Sequence, residues 1–283
     1  MTASEARAPR PAAEGPDAAI TLTVLGCRSG APDAGSPCSG YVLTSGAGSI
    51  LVDCGSGIAA ALARSGLDEG LRGVVVTHVH ADHSLDLVAL AYGRRFPRPH
   101  AERLPLWLPD ASLDRVDRLD DLFGIPTLPD LARPIAQSFD VRPLRLDGAD
   151  EIEVMPGLRM AAFPARHAVP SAALRFSCES GTIAFSSDTS WTEGVLQAAD
   201  HADLFVCEAT YLEATEQELE GHGHLTAELA GRLAAEASVR HLLLTHLSSW
   251  RDAEATLAVA RSAAPGMAHI SLARPGATWT VGA

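Results

Sequence analysis

From Ile20 onward the chain alternates short apolar runs, rich in β-branched residues, with Gly, Asp or His stops: "ITLTVLG", "SILVDCG", "GVVVTH", "LPLWLPD", "LRMAAFPARH", "TIAFSSD", "ADLFVCEA" and "RHLLLTH". Such punctuated runs predict strands. Between several of them lie "GIAAALARSG", "SLDLVALAY", "TEGVLQAAD", "LTAELAGRLAAEA" and "DAEATLAVARSA". Their apolar residues recur every three or four positions, which predicts helices and, with the strands, a mixed α/β fold. Residues 94–150 are the least regular part, carrying many of the prolines and the Arg/Asp-rich stretch "DASLDRVDRLDDLFGIPTLPD". They are expected to form a substrate-facing insertion, with a solvated helix and connecting loops as the plainer reading. Residues 1–19 show no periodicity and are expected to form a disordered tail ahead of one domain at 20–283.

Composition narrows the chemistry. All 22 basic residues are arginine, so Schiff-base and phosphate-loop lysines are excluded, and G-x-S-x-G is absent as well. What remains is histidine, carboxylate, arginine or metal chemistry. The formal net charge of −13 disfavours a long polyanionic partner, and a small-molecule substrate is expected instead. The 5 cysteines are odd in number and widely spaced, without C-x-x-C, so reduced thiols are expected. No stretch approaches the ~20 apolar residues of a membrane helix, and the opening lacks the apolar centre of a secretory signal; the expectation is a cytoplasmic protein with no membrane contact.

The stretch "THVHADH" directly follows the apolar run "GVVV". On a strand, His78 and His80 share a face, while Asp82 and His83 fall on the turn into the next helix. Imidazole nitrogen and carboxylate oxygen suit Zn²⁺ best, with Mn²⁺ or Fe²⁺ as competitors, and a cluster this dense invites two divalent ions. Further donors are needed to complete the coordination. His167, Asp188 and His246 each stand just past an apolar strand and are the candidates.

The order H-x-H-x-D-H, a lone His, an Asp after a strand and a final T-H resembles the metallo-β-lactamase superfamily of hydrolases, over about residues 20–275. The resemblance implies a four-layer αβ/βα sandwich with two metals at one edge. By position, His78, His80 and His167 would hold the first ion and Asp82, His83 and His246 the second, with Asp188 bridging both. Asp53, in "LVDCG", matches a position that supports the metal loops from behind. Relatives of this fold often pair, so a homodimer is also admitted.

Within the superfamily, "CEATYLEATEQELEGHGHLTAELAGRLAAEASVRHLLLTHLSS" resembles the corresponding stretch of ribonuclease Z, where H-E-A-T and G-H-S-T precede the last ligand strand. Glu208 and His224 match that pattern; Cys207 and Leu225 depart from it. The resemblance implies phosphodiester hydrolysis, in which two ions lower the pKa of a bridging water toward ~7. Asp82, Glu208 and His224 are then the expected catalytic residues, the last two as a carboxylate-oriented imidazole that protonates the leaving alkoxide. The long arm by which ribonuclease Z grips transfer RNA has no room between His167 and Asp188. The opening "TVLGCRSGAPDAGSPCSGYVL" and the C-terminal "DLFVCEATY" and "VRHLLLTHLSSW" resemble bacterial cyclic-nucleotide phosphodiesterases of this fold. A small phosphodiester is therefore expected, with Arg94, Arg95 and Arg98 as candidate phosphate contacts. A thioesterase or lactonase is the first alternative, because the same nucleophile attacks acyl carbon, and a ribonuclease Z-type endoribonuclease is the second.

Overall fold

The structure is a computed structural model that describes residues 19–282 apart from 98, 216, 218, 220 and 221. The tail expected at 1–19 thus lies, but for Ala19, outside the described residues. Two sheets, each of seven strands among the described residues, form the centre. The first is built from β1 (Ile20–Gly26), β2 (Gly40–Ser45), β3 (Gly48–Val52), β4 (Leu71–Val75), β5 (Leu104–Pro109), β6 (Phe139–Leu144) and β14 (Thr278–Val281), in the order β14-β1-β2-β3-β4-β5-β6. The second runs β13-β12-β11-β10-β9-β8-β7, from β7 (Ile152–Met155), β8 (Leu158–Ala165), β9 (Ser171–Cys178), β10 (Gly181–Phe185), β11 (Leu204–Glu208), β12 (His241–Thr245) and β13 (His269–Leu272).

The two-residue period of the strands explains the layering. On β2, Tyr41 and Leu43 enter the core between the sheets while Val42 packs on the outer face. On β11, Leu204 and Val206 point inward and Phe205 and Cys207 outward. Helices cover both outer faces. Ile58 and Leu62 of α1 (Ile58–Ser65) and Leu87 and Ala91 of α3 (Leu87–Arg95) pack on the first sheet, and α2 (Ala81–Ser84) precedes α3. Val195 and Ala198 of α6 (Glu193–Ala199), Ala230 and Leu233 of α7 (Ala227–Glu236) and Ala260 of α8 (Ala253–Ala263) cover the second. Apolar residues thus sit at helical spacing on one stripe of each helix. Thr192 and Thr226 cap α6 and α7 by accepting from Val195 N–H and Leu229 N–H, each cap worth about 1 kcal/mol. This is the four-layer αβ/βα sandwich.

Two expectations change in detail. The helix read from "SLDLVALAY" is broken at Leu85–Asp86, because the Asp86 carboxylate is recruited by the amides of Gly57 and Ala59 at the start of α1, both at 2.9 Å. Residues 94–150, expected as an insertion, are in part framework. They supply β5, β6 and the covering helices α4 (Leu113–Phe123) and α5 (Pro134–Ser138), and Leu106, Val116, Ile135 and Phe139 are core residues. The irregularity of the segment has a physical reason. β6, "FDVRPL", is an edge strand, where charged residues and proline are tolerated and discourage further pairing.

Strand direction positions the site. β3, β4, β5 and β6 are parallel, as are β10, β11, β12 and β13, and β8 is antiparallel to β9, which is antiparallel to β10. The C-terminal ends of β3, β4, β8, β10, β11 and β12 consequently emerge where open α/β sheets place their ligands.

Candidate metal centre

Each of those six ends delivers a polar residue. Asp53 follows β3, the His78–His83 turn follows β4, His167 follows β8, Asp188 follows β10, Glu208 ends β11 and His246 follows β12. Two of them, Asp53 (φ 60°) and His246 (φ 59°), adopt left-handed backbone, as does Ser187 (φ 57°) beside Asp188. Such strained residues persist only where surrounding structure fixes them, and they cluster at functional sites.

The side chains form two groups whose ligating atoms lie within 4.8 Å of one another: His78, His80 and His167, and Asp82, His83, Asp188 and His246. Asp188 Oδ2 also lies 3.6 Å from His78 Nε2 and 3.8 Å from His167 Nε2, between the groups. All seven residues proposed from the sequence as metal ligands are therefore brought together.

The outer nitrogens of three rings are committed. His83 Nδ1 donates to Asp53 Oδ2 (2.7 Å), His167 Nδ1 to the Gly223 carbonyl (2.9 Å) and His246 Nδ1 to Thr210 Oγ1 (2.9 Å). Their Nε2 atoms are left facing inward: His83 Nε2 is 3.2 Å from His246 Nε2, and His167 Nε2 is 3.0 Å from His80 Nδ1. His78 Nε2 is buried without a hydrogen-bond partner. Orphaned nitrogens and carboxylates converging in a buried space are the donor set a divalent cation satisfies, and outer hydrogen bonds of this kind fix ligand tautomers. The residues present fit such ions.

The field at the centre favours positive charge. Burial pulls His83 down, but Asp188 and Asp53 outweigh it and raise it well above the ordinary histidine range. Burial pushes Asp188 up, yet His246, His83 and His78 hold it well below the ordinary carboxylate range. His78, His80 and His167 are lowered, chiefly by burial, which keeps these rings neutral and competent to ligate.

Glu208 is buried and accepts from Thr189 N–H (2.7 Å), Thr210 Oγ1 (2.5 Å), Leu225 N–H (3.2 Å) and His224 Nδ1 (3.0 Å). Burial lowers His224, but Glu208 outweighs it and raises the imidazole to about 9. Both departures from the ribonuclease Z pattern are innocuous here. The Cys207 side chain packs in the outer core, its thiol donating to the Glu208 backbone carbonyl (3.4 Å), and position 225 serves through its backbone amide. His222 is exposed.

The arginines proposed for phosphate are not gathered with these residues. Arg94 Nη2 donates to the Glu102 carbonyl (2.8 Å), and Arg95 donates to the His100 carbonyl (3.0 Å) and pairs with Asp130 (3.2 Å). Both stand at the far end of α3, roughly 12 Å of helical rise from its start. Arg98 lies outside the described residues. Residues that the sequence reading missed include Thr77, whose N–H and Oγ1 bind Asp53 (2.8 and 3.0 Å), Thr210, and Gly55, where a Cβ would sit 1.9 Å from the Asp82 carbonyl. The signals were local: Thr before His in both "VVVTH" and "LLLTH", and Gly after the supporting Asp-Cys.

A sandwich of this topology with histidine and aspartate at one edge defines the class of metallo-β-lactamase-fold hydrolases. The family model described as the beta-lactamase superfamily domain matches residues 49–247, and the chain belongs to that superfamily. It is similar to an uncharacterized protein of Mycobacterium leprae, 34% identical over 88% of this chain and 85% of the relative. It is also similar to ribonuclease Z of Streptomyces avermitilis, 30% identical over 80% of this chain and 86% of the relative. Among solved structures, the metallo-beta-lactamase fold protein YhfI of Bacillus subtilis aligns with a TM-score of 0.77 at 25% identity, over 92% of this chain and 99% of that one. No helix among the described residues is long and apolar enough to cross a membrane.

Proposed function

We propose that the protein is a dinuclear metal-dependent phosphodiesterase acting on a small phosphodiester such as a cyclic nucleotide. The observation that carries the reading is the meeting of both ligand groups with the Glu208–His224 pair at one sheet edge. His78, His80 and His167 would hold one ion, Asp82, His83 and His246 the other, and Asp188 both. When bound, two such ions supply a nucleophilic water at neutral pH and neutralise charge on the phosphate oxygens, and Zn²⁺ suits these donors best. His224, held by Glu208 at 3.0 Å, would give a proton to the departing alkoxide, which leaves poorly without one.

A small substrate is supported by the connection between His167 and Asp188. β9 and β10 occupy most of it as a tight hairpin within the second sheet, so no protruding arm arises there. The absence of lysine and the charge of −13 point the same way. A second reading, a ribonuclease Z-type endoribonuclease, is favoured by the Streptomyces relative.

The test is metal analysis of the purified protein with a panel of cyclic nucleotides, bis-p-nitrophenyl phosphate, thioesters, lactones and precursor transfer RNA. Hydrolysis of cyclic nucleotides that disappears on chelation is the expected result. Activity confined to thioesters or lactones would move the protein to acyl chemistry, and cleavage of precursor transfer RNA alone would favour the second reading.

A further inference from the structure

The segment joining β1 to β2 touches the centre at three points, all in the same ligand group; at its end Ser39 N–H donates to the Asp82 carbonyl at 3.1 Å. Gly30 N–H donates to Asp82 Oδ2 at 2.7 Å, and the Cys27 carbonyl accepts from His246 N–H at 3.1 Å. Gly30 has φ +70°, which turns its amide inward; a Cβ there would meet nothing within 4 Å, so the backbone conformation and not space calls for glycine. Among the described residues, the side chains of His78, His80 and His167 make their hydrogen bonds to Thr77, Ser187, Gly223 and one another, none to this segment.

The segment is closed by a latch. Asp33 Oδ1 accepts from Gly35 N–H (2.9 Å) and Ser36 N–H (3.0 Å), and its Oδ2 pairs with Arg28 Nη2 at 2.8 Å. Arg28 Nη1 reaches the carbonyl of Leu247, next to His246, at 3.4 Å, and its guanidinium lies 5.6 Å from the Trp250 ring centroid. One arginine thus ties the tip of the loop to the strand end that carries a proposed ligand.

We propose that residues 27–36, latched by Arg28 and Asp33, position the ligands of the second ion alone, so that opening this loop releases that ion and leaves the first in place. The inference rests on the dinuclear reading above. Gly30 and Arg28 act through Asp82 and His246 and are positioning residues. Because Asp33 is 40% exposed, the latch is open to screening, and high salt loosens the second ion selectively.

The experiment is chelator challenge of the metal-loaded, full-length protein, with a chromogenic chelator following release over time. The unmodified protein is expected to release two ions in two phases. Asp33→Asn keeps the turn acceptor but removes the charge, and Gly30→Ala keeps the latch but strains the inward amide; each is expected to speed the fast phase about ten-fold and to leave the slow phase within two-fold. Circular dichroism establishes that each variant is folded, and if one is not, the other carries the test. Equal acceleration of both phases, or of neither in both variants, overturns the role of the loop while the dinuclear reading stands. Release of a single ion from the unmodified protein would defeat the dinuclear reading and this proposal with it.

Discussion

Strand β12 has a histidine at its entry, His241, and another just past its exit, His246, in opposite company. His241 Nε2 meets Ser271 Oγ at 2.7 Å, its ring lies 5.9 Å from that of His269 and edge-on to Trp279, and no carboxylate pairs with it among the described residues. His246 Nε2 lies 3.2 Å from Asp82 Oδ2 and 3.4 Å from Asp188 Oδ2. Two imidazoles within reach of each other do not make a metal centre at the entry end. Buried carboxylates, delivered by several parallel strands at their C-terminal ends, make the difference at the exit end. The direction of the strands decides which edge receives them.

The sharpest way to break the contrast is to remove the carboxylate that touches both ligand groups. Asp188→Ala is expected to abolish bound metal, measured by elemental analysis, and to lower hydrolysis roughly a hundred-fold or more, whereas His241→Ala changes neither by more than about two-fold. Equal effects at the two ends would undo the comparison. Next in size is Gly55→Ala. The new methyl would sit 1.9 Å from the Asp82 carbonyl, so the ligand turn must move; a loss of about 1–3 kcal/mol in denaturant unfolding is expected, together with reduced metal content. A variant as stable and as well metallated as the parent would show that the turn yields without cost. Smaller again is Thr210→Val, which removes the oxygen that His246 Nδ1 and Glu208 share. Metal affinity should fall about 10- to 100-fold by competition with a chelator, with the fold retained.

The ligands were legible in the sequence because each follows an apolar strand as a polar residue where the pattern breaks, as in "VVVTH", "TIAFSSD" and "HLLLTH". Their supports were far less so. Thr210 and Gly223 act through one hydroxyl and one carbonyl, and nothing in residue type marks a threonine that orients a ring from one that faces water. Antiparallel strands such as β9, "SAALRFSC", and edge strands such as β6 were missed because small or charged residues dilute the apolar signal. Arg94 and Arg95 misled in the opposite way. Their nearness in sequence to His83 suggested nearness to substrate, but the break at Leu85–Asp86 and the roughly 12 Å rise of α3 intervene, and both side chains are engaged at its far end.

The last contrast between the two ends is in their response to pH. Burial, and then the neighbouring charge of His269, lowers His241 in the folded chain. An unfolded chain therefore binds the proton first as pH falls through the unperturbed value of about 6.5, and stability at this end is full above that value and declines below it. His241→Gln keeps a donor for Ser271 Oγ and cannot titrate. The fall in melting temperature between pH 7.5 and 5.5 should accordingly be smaller in His241→Gln than in the parent, since the variant lacks the imidazole that the unfolded chain protonates first. An identical fall in the two would mean that the imidazole of His241 is as readily protonated in the fold as outside it, and that its burial beside β13 has no bearing on stability.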